Sequence, residues 1–256
     1  TYSPKRADIV TLARQTAASL KADGVTAVTL GFDDTLFSGP SANPHWEPGY
    51  VATGEVSPVS ALWVDEGRQA DGTGRDADPA AVAAVEFRRA LLGAGIRVTG
   101  RPTRVAAPPA ATAVAAVSSP TVAQIVQRVL EVSDNDGAEV LLRHIGIADG
   151  AGGSFTGGQA GVKRVLAANG IQLGASVLYD GSGLSRANLL DPGVLVRVLQ
   201  LAASDAHPEL RPILAALPVA GFTGSLTNRM DEGPAVARGR ERAKTGTLSG
   251  VSSLAG

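Results

Sequence analysis

Two amphipathic helical segments, with a polar tripeptide between them, constrain the fold of this chain more than any other feature. Apolar residues recur at helical spacing on both sides of Ser133-Asp134-Asn135. They are Val122, Ile125, Val126, Val129 and Leu130 before it, and Ala138, Leu141, Leu142 and Ile145 after it. This i, i+3, i+4, i+7 pattern predicts two helices that each bury one face. The tripeptide therefore lies in a short break between core helices, although Ser, Asp and Asn there are also typical of an ordinary helix N-cap.

The first hundred residues predict repeated helix-to-strand units. Helical spacing over residues 9–20 is followed by alternation over 28–32, and a helix over 78–93 is followed by a short strand over 96–98. Residues 100–120 lack a helical period and contain four prolines. We therefore place a domain boundary near residue 100. The predicted domains are residues 1–100 and residues 101–256.

Further elements are predicted in the C-terminal part. Thr156 with Gln159 forms a capping-box pattern that predicts the start of another helix. Asp191-Pro192 and Pro208 predict two further helix starts. Residues 240–248 and 250–254 alternate like two strands joined by a tight turn.

The composition excludes several classes of protein. The chain has no cysteine, which excludes disulfides, thiolate metal sites and a cysteine nucleophile. Its 23 basic and 24 acidic residues offer no electrostatic drive toward nucleic acid. No apolar run reaches the roughly 18 residues of a membrane span, so we predict no transmembrane segment in this chain. The glycines at 150–158 are not followed by Lys-Ser or Lys-Thr, which disfavours a phosphate loop, and we predict neither a metal nor a cofactor.

A second motif, Lys244-Thr245-Gly246-Thr247, lies on the late predicted strand. Only four of the 23 basic residues are lysine, so a lysine at this place is unlike the background. Either tripeptide alone, Ser-Asp-Asn or Lys-Thr-Gly, has a chance probability of roughly 0.05 in a chain of this length, and both together about 0.003. Chance is therefore the weaker explanation of the pair.

Further segments extend the similarity over nearly the whole chain. They are Pro58-Val59-Ser60-Ala61-Leu62, Asp180-Gly181-Ser182-Gly183-Leu184-Ser185-Arg186, Leu217-Pro218-Val219-Ala220-Gly221 and Gly224-Ser225-Leu226. With the two motifs, they resemble D-Ala-D-Ala carboxypeptidases of the class C, penicillin-binding-protein-4-like type, peptidase family S13. The resemblance implies an α/β (α+β) fold: a penicillin-binding-protein or serine β-lactamase-like transpeptidase domain with an antiparallel sheet, a helical subdomain and an inserted accessory domain. Residues 1–100 would be that accessory domain, and residues 101–256 part of the catalytic domain.

The third signature of this family, Ser-x-x-Lys, is not in the sequence, since no lysine follows a serine by three positions. The resemblance implies that this nucleophilic pair lies upstream of residue 1, and that N- and C-terminal parts of the fold lie outside this chain. It also implies roles for the residues present. Ser133 would relay a proton to the departing D-alanine, Asn135 would hold the substrate amide, and Lys244 would supply positive charge. The substrate-binding residues would be Thr245, Gly246 and Thr247.

The implied function is a serine-type D,D-carboxypeptidase that trims peptidoglycan stem peptides ending in D-Ala-D-Ala and is acylated by β-lactams, and an additional endopeptidase activity stays open. Such a protein acts in the extracytoplasmic cell envelope of bacteria. Two alternatives stay open: a catalytically inactive peptidoglycan-binding module, favoured by the missing nucleophile, and a serine β-lactamase. A third is an unrelated α/β domain with a fortuitous cap and turn, which requires Ser133 and Lys244 to lie far apart.

Overall fold

The computed structural model describes residues 6–229 and 236–256 and divides the chain into two units. The first unit ends at Pro120, and the second comprises Asn43–Glu47 and Thr121–Gly256. The division therefore lies twenty residues beyond the boundary that the prolines indicated. It does so because the strand predicted at 96–98 continues to Arg104 and pairs within the first unit. Farther on, the Val114 carbonyl accepts a hydrogen bond of 3.0 Å from Ser19 Oγ, in the first helix.

The first unit is built on a parallel strand pair. Its elements are α1 (Ile9–Ala22), β1 (Ala27–Phe32), α2 (Pro79–Gly93) and β2 (Arg97–Arg104). Strand β1 pairs with β2 from Ala27 opposite Arg97 onward, and the long parallel connection runs through α2, as such pairs require. The core between the helices and strands consists of Ala13, Ala17, Leu91, Ile96 and Val98. The two helix-to-strand units predicted from sequence are confirmed.

The second unit contains five helices and an antiparallel hairpin among its described residues. They are α3 (Val122–Val132), α4 (Asn135–Ala148), α5 (Phe155–Ala168), α6 (Pro192–Ala203), α7 (Arg211–Ala216), β3 (Lys244–Leu248) and β4 (Val251–Ala255). Strands β3 and β4 pair in register from Lys244 opposite Ala255 to Leu248 opposite Val251. Across the described residues of the whole chain, none of the helices has the length and apolar character needed to cross a membrane.

Side-chain caps explain where these helices begin. Thr121 and Gln124 form a capping box at the start of α3, and Asp191 caps α6 ahead of Pro192. At α5 the cap is Ser154, whose Oγ accepts from the Gly157 N–H at 3.0 Å. The prediction that Thr156 and Gln159 form this cap is wrong.

Glycines allow α4 and α5 to pack with their backbones in contact. A Cβ at Gly158 would overlap the Leu142 carbonyl, and a Cβ at Gly146 would overlap the carbonyl of Gly152. The glycine-rich segment before and within α5 therefore serves close helix packing. This packing fixes α4, the helix that begins at Asn135, the last residue of the Ser-Asp-Asn motif.

Candidate active site

The Ser-Asp-Asn motif forms the junction between α3 and α4. Ser133 ends α3 in the left-handed conformation, with φ 59° and ψ 49°. Asp134 caps α4 by accepting from the Gly137 N–H at 2.9 Å, and it pairs with Arg128 Nε at 3.0 Å. The capping function that the sequence allowed for the whole tripeptide thus belongs to Asp134, which braces the junction. The Ser133 hydroxyl takes no part in this cap and lies at the surface.

A contact between Ser133 and Lys244 joins the two motifs. Lys244 Nζ donates to Ser133 Oγ at 2.6 Å although the residues are 111 positions apart in sequence. The same ammonium donates to the Thr245 carbonyl at 2.6 Å. This geometry removes the alternative of an unrelated domain in which Ser133 and Lys244 lie apart.

Burial changes the electrostatics of Lys244. The side chain is partly buried at the start of β3, and desolvation lowers its pKa below the usual value for a lysine. An ammonium in this setting gives up a proton more readily than one on an open surface. It donates a hydrogen bond to the Ser133 hydroxyl oxygen, which can take up the ammonium proton only as it gives its own proton to another group.

The three residues after Lys244 lie along β3. Thr245 Oγ1 donates to Ser225 Oγ at 2.8 Å. Gly246 lies opposite Ser253 of β4, and a Cβ at this glycine would overlap the Ser253 hydroxyl. Thr247 lies opposite Ser252 and is exposed. The strand therefore presents threonine side chains on either side of a glycine.

Asn135 is the first residue of α4 and lies two positions after Ser133. It is partly buried. Because a helix start fixes the backbone, its amide side chain leaves the chain from a defined position beside Ser133.

A buried polar network on α4 supports this junction and was missed by the sequence reasoning. Glu139, fully buried, accepts from the Ser182 N–H at 2.8 Å and from the Gly181 N–H at 3.1 Å. Asp180 in turn accepts from Trp46 Nε1 at 3.0 Å and from Asn188 Nδ2 at 2.7 Å. The Glu139 carboxylate thus holds the loop that begins at Asp180, a segment that the sequence marked through its resemblance.

The environment of Glu139 perturbs its ionisation. Burial raises the pKa of Glu139 from 4.5 to about 7, the Asp180 carboxylate adds to the shift, and hydrogen bonds from Ser182 and Gly181 oppose it. One turn along α4, Arg143 is also buried, with its guanidinium carbon 4.3 Å from the centre of the Phe155 ring. Burial lowers the pKa of Arg143, and the charge of Glu139 opposes that shift.

Comparison with known proteins places these motifs in context. The model of the D-Ala-D-Ala carboxypeptidase 3 (S13) family matches residues 4–75 and 68–256. A carboxypeptidase of Mycobacterium tuberculosis is 35% identical over 245 residues, which cover 93% of this chain and 52% of that protein. Carboxypeptidase DacB of Mycolicibacterium smegmatis is 34% identical, with 94% and 53% covered. The chain thus spans about half the length of these two relatives.

A solved structure shows the same fold. Penicillin-binding protein 4 (dacB) of Haemophilus influenzae superimposes with a TM-score of 0.80 at 21% identity, covering 96% of this chain and 69% of that one. The same protein complexed with a β-lactam gives a TM-score of 0.75. The predicted penicillin-binding-protein fold is thereby confirmed. The family match over nearly the whole sequence, with both motifs meeting at one site, shows that this chain belongs to the D-Ala-D-Ala carboxypeptidase 3 (S13) family.

Proposed function

We propose that the complete protein is a serine-type D,D-carboxypeptidase that removes terminal D-Ala from peptidoglycan stem peptides through an acyl-enzyme. The observation that carries this proposal is the 2.6 Å contact between Lys244 Nζ and Ser133 Oγ. Membership of a D-Ala-D-Ala carboxypeptidase family supports it. Acyl transfer from an amide requires an activated nucleophile, donors for the oxyanion and a proton for the leaving amine. The residues of this chain would supply the donors for the oxyanion and the proton for the leaving amine.

The nucleophile would come from a Ser-x-x-Lys segment outside the sequence described here. Its serine and lysine would lie one helical turn apart, so that the amine accepts the hydroxyl proton. The aligned relatives are about twice as long as this chain, which leaves room for such a segment. Residues 1–100 would form the accessory domain between that segment and the Ser-Asp-Asn motif.

Ser133 and Lys244 would deliver the proton to the leaving group. Because Ser133 Oγ accepts from Lys244, the hydroxyl hydrogen of Ser133 is directed elsewhere, toward the nitrogen of the departing D-alanine. As Ser133 gives this proton to the amine, Lys244 replaces it with one of its own and becomes neutral. The lowered pKa of Lys244 favours that transfer.

The remaining motif residues would bind the substrate. The Asn135 amide has both a donor and an acceptor for the peptide group of the acyl donor. The Thr245 and Thr247 hydroxyls would bind the terminal carboxylate, close to the positive charge of Lys244. The Thr247 N–H would donate to the oxyanion, a contribution of about 3 to 4 kcal/mol to lowering the barrier. Gly246 would let the peptide approach β3 as an added strand.

The proposed location of the protein follows from the location of its substrate. Stem peptides of peptidoglycan lie outside the cytoplasmic membrane, so we propose that the complete protein is exported to the cell envelope. β-Lactams carry a strained amide and a carboxylate, and the same groups would recognise them. Endopeptidase action on cross-linked stem peptides uses identical chemistry and is included in the proposal.

Intact mass of the complete protein after incubation with benzylpenicillin tests the mechanism. We expect one covalent adduct, together with release of D-alanine from diacetyl-Lys-D-Ala-D-Ala. Lys244→Ala should slow acylation by about 100-fold or more, the usual loss when an acid–base group is removed. Lys163→Ala, which removes an exposed lysine of the same unit, is the matched control and should leave acylation unchanged.

The other outcomes distinguish the alternatives. A protein that binds diacetyl-Lys-D-Ala-D-Ala but shows neither adduct nor D-alanine release would be an inactive binding module. Rapid benzylpenicillin hydrolysis without D-alanine release would indicate a β-lactamase. Acylation at the wild-type rate in a folded Lys244→Ala protein would refute the role assigned to Lys244.

A further inference from the structure

A short 3₁₀ turn, Gly224–Leu226, places an additional serine beside β3. Leu226 is fully buried and anchors the turn, whereas Ser225, between Gly224 and Leu226, is exposed. Gly224 has φ 54°, and a Cβ there would overlap the Glu131 carbonyl. The turn is therefore pressed against the last part of α3, two residues before Ser133, in a conformation that favours glycine.

Hydrogen bonds fix this turn relative to β3 as well. The Leu226 carbonyl accepts from the Gly221 N–H at 2.9 Å, and Thr227 Oγ1 donates to the Gly224 carbonyl at 2.8 Å. Ahead of the turn, the Pro218 carbonyl accepts from the N–H of Ala243, the residue before Lys244, at 3.0 Å. The backbone that carries Ser225 is thus tied to both elements that supply the candidate site.

Ser225 and Thr245 form a pair of hydroxyls at this place. Thr245 Oγ1 donates to Ser225 Oγ at 2.8 Å. Each hydroxyl carries one proton and can rotate to donate or accept. If donor and acceptor exchange in this hydrogen bond, Ser225 donates to Thr245. The Thr245 proton then points away from Ser225, and the two oxygens remain hydrogen-bonded to each other. A hydroxyl that accepts one hydrogen bond is also a stronger donor in the next.

We propose that Ser225 is a positioning residue for carboxylate recognition: it holds the Thr245 hydroxyl and, by donating to it, directs the Thr245 proton to the terminal carboxylate of the acyl donor. The inference rests on the proposed function, because it takes the ligand to be a D-alanyl peptide or β-lactam with a free carboxylate. The neighbouring ammonium of Lys244 supplies the charge, and the hydroxyl pair supplies a directed hydrogen bond. Nothing in the Ser-Asp-Asn or Lys-Thr-Gly motif assigns a role to Ser225.

Acylation of the complete protein by benzylpenicillin and by its methyl ester tests this role, since the ester lacks the negative charge. Ser225→Ala should slow acylation by benzylpenicillin about fivefold, equivalent to about 1 kcal/mol, and change acylation by the ester less than about twofold. Ser225→Thr, which keeps the hydroxyl, should retain the wild-type ratio of the two rates. Thr227→Ala removes a hydrogen bond within the same turn, so as the structural control it should affect both probes alike.

A double-mutant cycle shows whether Ser225 acts through Thr245. In a Thr245→Val background, Ser225→Ala should cause no further loss with benzylpenicillin, because no hydroxyl remains to be positioned. Equal slowing of acid and ester by Ser225→Ala, or independent effects of the two substitutions, would overturn the inference.

If the wild-type protein forms no adduct, the proposed function fails, and equilibrium binding then decides the inference. N-acetyl-D-alanine should bind more tightly than N-acetyl-D-alaninamide, and Ser225→Ala should reduce that preference about fivefold. An unchanged preference in Ser225→Ala would refute the positioning role.

Discussion

Replacing Glu139 by glutamine should change how the stability of the second unit depends on pH. Burial raises the pKa of Glu139 from 4.5 to about 7 in the folded protein. The folded state therefore binds the proton more tightly than the unfolded state. The stabilisation that results is fully present below pH 4.5 and is lost as the pH rises through about 7.

The size of the Glu139 pKa shift sets how much the free energy of unfolding changes with pH. One pKa unit corresponds to about 1.36 kcal/mol, so the free energy of unfolding should fall by about 2 to 3 kcal/mol between about pH 5 and pH 8 through Glu139 alone. The charged groups that face this carboxylate are Asp180 across the loop and Arg143 on α4. Buried Asp136 lies one turn earlier on α4. Glutamine removes the titration but keeps an oxygen that can accept from the Ser182 and Gly181 N–H groups.

Urea unfolding at both pH values, followed by the fluorescence of Trp46, measures this difference. The Trp46 indole donates to Asp180 at 3.0 Å and lies against Phe155, so it reports on the same network. A Trp63→Phe background in every protein leaves Trp46 as the single tryptophan of this chain. Other titrating groups are shared by wild type and variant and cancel in the comparison.

Glu47→Gln is the control, since it removes a half-exposed glutamate of the same unit and should leave the wild-type pH dependence unchanged. The reasoning is refuted if wild type and Glu139→Gln lose the same stability between the two pH values. In that case the buried carboxylate would not hold its proton more tightly in the folded state.

Three further substitutions test the junction and the packing beneath it. Gly158→Ala should cost about 1 to 3 kcal/mol in urea unfolding through overlap with the α4 backbone, whereas Gly93→Ala, which meets no neighbour within 4 Å, should not destabilise. Asp134→Ala should lower stability by about 1 to 2 kcal/mol through loss of the cap and should also slow acylation. Ser133→Gly should raise the free energy of unfolding by up to about 1 kcal/mol, because glycine adopts the left-handed conformation without strain. The same substitution should slow D-alanine release by about 100-fold. A destabilised but active Ser133→Gly protein would contradict the assigned geometry.

Local patterns in the sequence predicted the elements well where one segment determined its own structure. The apolar spacing before and after residues 133–135 predicted α3 and α4 with the break between them, and alternation predicted β3 and β4 as a pair. Both predictions rest on the periodicity of apolar residues within a single element. Burial of the apolar face then stabilises the helix or strand that this periodicity indicates. The capping box at Thr121 is also local, although only its helix was predicted.

Features that depend on distant neighbours were not predictable in the same way. Glu139 lies within helical spacing of Asp136, yet its partners are N–H groups about forty residues later, at Gly181 and Ser182. The cap of α5 is Ser154, two residues before Thr156, and the helix that it begins packs through Gly158 against the α4 backbone at Leu142, a neighbour that the local Thr-Gln pattern does not include. The role of Ser225 likewise depends on a strand twenty residues away.

The Ser-Asp-Asn tripeptide shows why an ordinary structural interpretation and a functional one need not compete. Asp134 satisfies the helix start through Gly137 and is held by Arg128, so the cap is complete without Ser133. Because the cap is complete, the chain can keep Ser133 in a left-handed conformation that costs about 1 kcal/mol, with its hydroxyl turned to Lys244. A residue that is locally unfavourable, next to one that stabilises the same junction, is the pattern expected when a side chain is retained for chemistry. In this site the structural role and the candidate catalytic role therefore fall on neighbouring residues, and the first makes the second possible.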